Sequence, residues 1–290
     1  MGYFLARSNR TTARLFLRGV FLISGGILLN IGLNANLFYS ILIGRLSVDP
    51  FPYIFGADIL PLAGLSTICI ALVRPVFKQS IVAYVLMAVV ASSIASLLPT
   101  PGPFSTPLAT YLFPFFGGNA WWSYFPLFPW LTYPLVGFAT RLLFNRVDSR
   151  ATSRPLSTAV MVLFFVGLIL SAEYAGNIAS DLPSYYHHGP LFALWTTVFL
   201  GGWTMLAFLA GKGFSENNVL SYFTWLGRNV TAAYVFQWLL IGNIATALYR
   251  SQEPLHVLMW LLLIVILTTL LVLLWERVRR KFISAPAPSF

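Results

Sequence analysis

Residues 254–280 read PLHVLMWLLLIVILTTLLVLLWERVRR. From His256 to Trp275 there is no Asp, Glu, Lys or Arg, and four basic residues follow within the next six positions. About 20 consecutive apolar residues are what an α-helix needs to cross the hydrocarbon core of a bilayer. A cluster of Arg and Lys directly beyond such a run marks its end at a membrane surface. The rest of the chain repeats this grammar. Of its 290 residues, 58% are hydrophobic and 9% charged, whereas soluble domains carry roughly 25% charged residues. So few charges cannot cover a water-soluble body. Long apolar runs, rather than short alternating ones, select helices over a β-barrel.

Eight spanning helices are expected, at Leu15–Leu33, Ile54–Val73, Ser80–Leu98, Tyr124–Phe144, Leu156–Tyr174, Leu191–Gly211, Asn229–Leu248 and His256–Trp275. The fold class is therefore all-α, a polytopic bundle in one membrane domain over residues 1–281, with a disordered tail at 282–290. Pro126, Pro129 and Pro134 make the fourth span the least regular, because proline removes a backbone donor and kinks a helix. No internal repeat argues for inverted halves.

Charge sets the expected orientation. Sixteen of the 18 basic residues fall in the N-terminal segment, alternate connectors and the C-terminal segment; only Arg45 and Arg250 fall on the other side. Basic residues concentrate in cytoplasmic loops, so both termini are expected in the cytoplasm, with a bacterial inner membrane as the setting. The net charge of +10 is then a membrane signature and not one for nucleic acid. The lone cysteine, Cys69, forms no intramolecular disulfide and reads as a small apolar residue. The polar, basic start MGYFLARSNRTTAR is not a cleavable signal, and Ala6 breaks the myristoylation pattern.

Ionisable groups at membrane depth are functional candidates by default. Asp58 reads either as a helix cap or as a carboxylate that orients a partner or shuttles a proton. Glu173 reads as solvated or functional. His187 and His188 form a pair on the outer side, and histidine is the usual proton-transfer group near neutral pH. Adjacent histidines point differently, so at most one does chemistry; no further ligand at suitable spacing supports a metal. His256 reads as interfacial. Arg228 opens the seventh span as a phosphate-binding guanidinium or a surface anchor. Gln237 and Asn243 are expected to face the bundle interior. No Walker loop, dinucleotide fingerprint, zinc motif or nucleophile elbow occurs.

Three stretches in order carry a resemblance: Asp58 to Leu65 (DILPLAGL), Tyr124 to Leu131 (YFPLFPWL) followed by Gly137, and Leu226-Gly227-Arg228-Asn229 through Tyr234 to Gln237-Trp238. Together they resemble the membrane acyltransferases related to heparan-α-glucosaminide N-acetyltransferase, within the wider acyltransferase-3-like superfamily. The resemblance implies transfer of an acyl group, acetyl above all, from cytoplasmic acyl-CoA to a glycan-type hydroxyl or amine at the far face. Inner basic residues Arg74, Lys78, Arg141, Arg146 and Arg228, with Asn229, would hold the CoA phosphates, and no metal would take part. The family's N-terminal region carries an Arg-Gly helix and a histidine thought to be catalytic. Here no histidine precedes His187, so the chain is expected to be short by about two helices at its N-terminus. If the chain is instead complete, His187 or His188 takes the place of the missing base, with Asp58 as a further catalytic candidate, or the protein is not catalytic. The rival expectation is a non-enzymatic membrane protein, either a small-solute transporter or an inactive relative. The bilayer, acyl-CoA and a small acceptor are the expected partners, and self-association is open.

Overall fold

Prolines, glycines and capping residues divide the apolar runs into helices. A computed structural model describes residues 1–95, 97–98, 107–118, 120–146, 164–213, 217–248 and 252–283, and every regular element among them is helical. In chain order these are α1 (Gly2–Arg7), α2 (Thr12–Leu33), α3 (Ala35–Leu42), α4 (Phe51–Ile54), α5 (Ile59–Phe77), α6 (Ile81–Ile94) and α7 (Pro107–Leu112). A 3-10 turn at Phe113–Phe115 leads to α8 (Leu127–Trp130) and α9 (Thr132–Phe144). Then come α10 (Ala172–Ser180), α11 (Leu182–Tyr186), α12 (Pro190–Gly213), α13 (Asn218–Arg228), α14 (Val230–Leu248) and α15 (Pro254–Ile283).

Among the described residues, five stretches are long and apolar enough to cross a membrane: Thr12–Leu33, Ile59–Phe77, Leu127–Phe144, Pro190–Gly211 and Pro254–Lys281. Ile81–Ile94 and Val230–Ala245 are apolar but shorter. Large apolar side chains stand on the surface of these helices, such as Leu28, Val76, Val82 and Leu262. Contiguous apolar surface of that extent belongs against lipid, and the chain is an integral membrane protein. The first part of the expected fifth span, 156–163, lies outside the described residues; residues 164–170 and α10 are helical.

Local chemistry moves several boundaries away from those read off the sequence. The second span begins at Ile59 rather than Ile54, because Asp58 Oδ1 accepts the Ile59 amide at 2.7 Å and caps the helix. Ser80 caps α6 through the Ala83 amide in the same way. The fourth span opens only at Leu127 and is interrupted at Phe128, whose φ −105° and ψ 121° are extended. The last helix runs past Trp275 through the arginine-rich segment to Ile283.

The chain forms two compact units, Met1–Leu28 with Phe51–Phe208, and Leu29–Pro50 with Leu209–Phe290. The first is built on α6 and α9. Leu131, Leu135, Phe138, Ala139 and Leu142 repeat at helical spacing and meet Tyr84, Ala88 and Ala91. Tyr84 and Phe138 pack with ring centroids 4.4 Å apart, and Thr132 Oγ1 donates to the Ala88 carbonyl at 3.0 Å. Glycines let α2 approach α5: a methyl on Gly64 would lie 2.5 Å from the Gly19 carbonyl oxygen. Without a strong hydrophobic drive between helices in lipid, such small-residue contacts hold the pair together.

In the second unit, α14 packs on α15 and reaches α2's end and α3. The Asn243 carboxamide donates to the Gly32 carbonyl at 3.0 Å, just before α2 gives way to α3. Glu276 on α15 accepts from Asn229 Nδ2 at 2.8 Å and Trp225 Nε1 at 3.1 Å, spanning the break between α13 and α14.

Gly64→Ala is expected to destabilise the protein by about 1–3 kcal/mol through overpacking. Gly25→Ala, where no atom lies within 4 Å of the added carbon, is expected to cause no loss. Thermal unfolding of both variants in detergent measures the difference.

Candidate functional site

The site grows from the end of a short helix. Asp181 caps the start of α11 through the Ser184 amide and hydroxyl. At the other end, the last carbonyls of any helix lack partners within it. Two ring nitrogens take them here. Trp130 Nε1 donates to the Tyr186 carbonyl at 2.8 Å. His188 Nδ1 lies 2.8 Å from the Tyr185 carbonyl.

That second bond dictates the protonation of the ring. A carbonyl oxygen only accepts, so Nδ1 carries the hydrogen. His188 is 3% exposed, and burial pushes its pKa below the ordinary value of 6.5. The ring is therefore neutral near pH 7, with a lone pair on Nε2. Tyr133 Oη sits 2.7 Å from that nitrogen and donates to it. The result is a buried base with its proton acceptor aimed at a tyrosine hydroxyl. Thr196 lies beside the same hydroxyl.

Aromatic rings wall this pair. Trp130 meets His188 edge-on at 5.0 Å, and the Phe192 ring lies 5.1 Å from it. Trp130 also contacts Phe125, Tyr133 and Tyr185. Residues 122–125 are tied to the start of α5 by two backbone bonds, Ala57 amide to Trp122 carbonyl at 2.9 Å and Phe125 amide to Ala57 carbonyl at 2.6 Å. This tie brings Asp58 to the edge of the same cluster. The Tyr124 and Tyr186 hydroxyls are held above their ordinary pKa chiefly by burial, with neighbouring tyrosines and the Asp58 charge adding to it.

Asp58 itself serves as the cap of α5, and its charge reaches the Tyr186 hydroxyl. His187 is half-buried, and burial followed by the neighbouring His188 lowers its pKa. The ring contacts and side-chain hydrogen bonds of the pair belong to His188. Glu173 stands exposed in the first turn of α10, and His256 lies 3.9 Å from Glu253.

The basic residues separate into three settings. Arg74 Nη1 reaches the Arg10 carbonyl at 3.5 Å, and Arg141 lies over the Tyr3 ring while Nη1 donates to the Tyr3 hydroxyl at 3.0 Å. Arg141 Nε is buried without a partner among the described residues. Lys78 lies in the turn between α5 and α6, and Arg146, just past the end of α9, reaches that turn with Nη2 donating to the Gln79 carbonyl at 2.9 Å. Arg228 closes α13 in the second unit, and Asn229 is engaged by Glu276.

Trp130, Tyr133 and Glu276 carry much of this geometry, and reading the sequence singled out none of them. Trp130 lies inside the proline-broken YFPLFPWL stretch, which was the available signal for the first two. Glu276 is the only carboxylate among the residues of the last helix, and that was its signal. Comparison with protein-family models, curated proteins and solved structures finds no match.

The histidine pair makes stability depend on pH. The folded state keeps His187 and His188 neutral below the ordinary pKa of 6.5, whereas the unfolded chain takes up protons there. The unfolded state then binds more protons, so stability is full above about pH 6.5 and falls as the pH drops below it. Unfolding temperatures measured from about pH 8 to about pH 5.5 should show this decline, and His188→Gln should reduce its slope.

Proposed function

We propose that the protein is a membrane acyltransferase that passes an acyl group from acyl-CoA to a hydroxyl or amine of a small, glycan-type acceptor. One observation carries the reading: a buried, neutral His188 whose Nε2 lone pair faces the Tyr133 hydroxyl inside an aromatic wall. The ordered resemblance in DILPLAGL, YFPLFPWL and LGRN supports it, since the first two of these stretches border the His188 cluster.

In this reading the acceptor oxygen or nitrogen attacks the thioester carbonyl. Its proton passes to the Tyr133 oxygen as the Tyr133 proton moves to His188 Nε2. A C–O or C–N bond forms and the C–S bond breaks. The proton on His188 returns through Tyr133 to the departing thiolate, which restores both side chains. General base catalysis of this kind contributes about 10²–10⁴-fold, and holding donor and acceptor together adds to it. Asp58 positions the start of α5 against the cluster. Arg74 and Arg141 are the cations we assign to CoA phosphates; guanidinium suits phosphate by its planar array of donors. The same reading takes eight spans, both termini in the cytoplasm and a bacterial inner membrane as its setting.

The second reading is a non-enzymatic membrane protein, a solute transporter or an inactive relative. It is favoured by the fact that both ring nitrogens of His188 are satisfied by the protein itself. Thiol release from acetyl-CoA by the purified chain, with sugar acceptors present, separates the two. The acyltransferase reading expects release that falls at least about 10²-fold in His188→Ala. Release that is absent, or unchanged in that variant, would favour the second reading.

A further inference from the structure

The turn between α5 and α6 holds a lysine in a conformation that lysine disfavours. Lys78 has φ 46° and ψ −111°, and the Ser80 amide closes the turn on the Phe77 carbonyl at 2.9 Å. This is the first central position of a type II′ turn, where glycine is the usual residue because a Cβ is strained there. The surroundings hold the strain in place. The Tyr84 hydroxyl donates to the Lys78 carbonyl at 3.3 Å, and Arg146 clamps the Gln79 carbonyl at 2.9 Å. Strained backbone that its neighbours over-determine points to a function for the side chain kept there.

The turn concentrates positive potential. Lys78 and Arg146 are both exposed, and Arg146 spends one donor on Gln79. Beyond Ser80, the amides of Ile81 and Val82 have no acceptor within α6, whose N-terminus adds a partial positive charge. Among the described residues of this unit the carboxylates are Asp58, Glu173 and Asp181. Asp58 caps the opposite end of α5, about 28 Å away at 1.5 Å per residue.

Apolar side chains flank the same turn. Val76 is 70% exposed, Val82 68% and Phe144 62%. Helix α5 is about as long as the hydrocarbon core is thick, so Lys78 at its end sits at headgroup level. A free phosphate ion would use the cations and leave this apolar surface bare, whereas a phosphate carried on acyl chains uses both.

We propose that the α5–α6 turn, with Lys78, Arg146 and the first amides of α6, binds the phosphate of an anionic phospholipid headgroup. This site does not depend on the acyl-transfer reading. The test is thermal unfolding of the full chain in nanodiscs of phosphatidylcholine, with and without phosphatidylglycerol. Phosphatidylglycerol should raise the unfolding temperature of the wild type. Lys78→Gly should lose most of that rise, yet unfold at or above the wild-type temperature in phosphatidylcholine alone, because glycine relieves the turn. Arg146→Gln should lose part of the rise. An equal rise in wild type and Lys78→Gly would overturn the proposal. So would equal protection in phosphatidylcholine by inorganic phosphate that Lys78→Gly loses, which would make the site one for a soluble anion.

Discussion

Backbone amides and carbonyls without partners are costly in hydrocarbon, where water cannot replace them. The structure depends on meeting that constraint, and at several helix ends side chains meet it. Asp58 and Ser80 fill amides at the starts of α5 and α6. Asn243 supplies a donor to Gly32 near the end of α2. Tyr84 and Arg146 take the two carbonyls exposed in the α5–α6 turn. Trp130 and His188 do the same at the end of α11. Polar side chains in this protein stand mainly where the main chain needs them.

The histidine site follows from the same constraint. Because His188 must donate from Nδ1 to a carbonyl, Nε2 is left as an acceptor, and burial keeps the ring from taking a second proton. A group placed to finish a helix end thereby becomes a base with a fixed tautomer. Its tyrosine partner comes from α9, whose start is set by the proline-broken segment before it. Structural satisfaction and chemical poise reside in one side chain.

Composition and periodicity made the all-helical membrane class legible, because long uncharged runs have few other solutions. The helix ends were less legible. The apolar run containing α5 begins before Asp58, and only the cap geometry shows that the helix waits for it. The pairing of His188 with Tyr133 joins residues 55 positions apart, and no local pattern encodes that proximity. His187 and His188 look alike in sequence; burial and the Tyr185 carbonyl distinguish them. Lys78 read as one of several inner cations for CoA phosphates, and its strained turn was not legible, since a left-handed backbone at a non-glycine residue has no signature in composition.

Histidine nitrogen NMR of the ¹⁵N-labelled protein in nanodiscs tests the central claim most directly. Near pH 7 the account predicts a neutral His188 ring with protonated Nδ1 and a bare Nε2 that shifts in Tyr133→Phe. A ring protonated on Nε2, either as the other tautomer or as imidazolium, would contradict it.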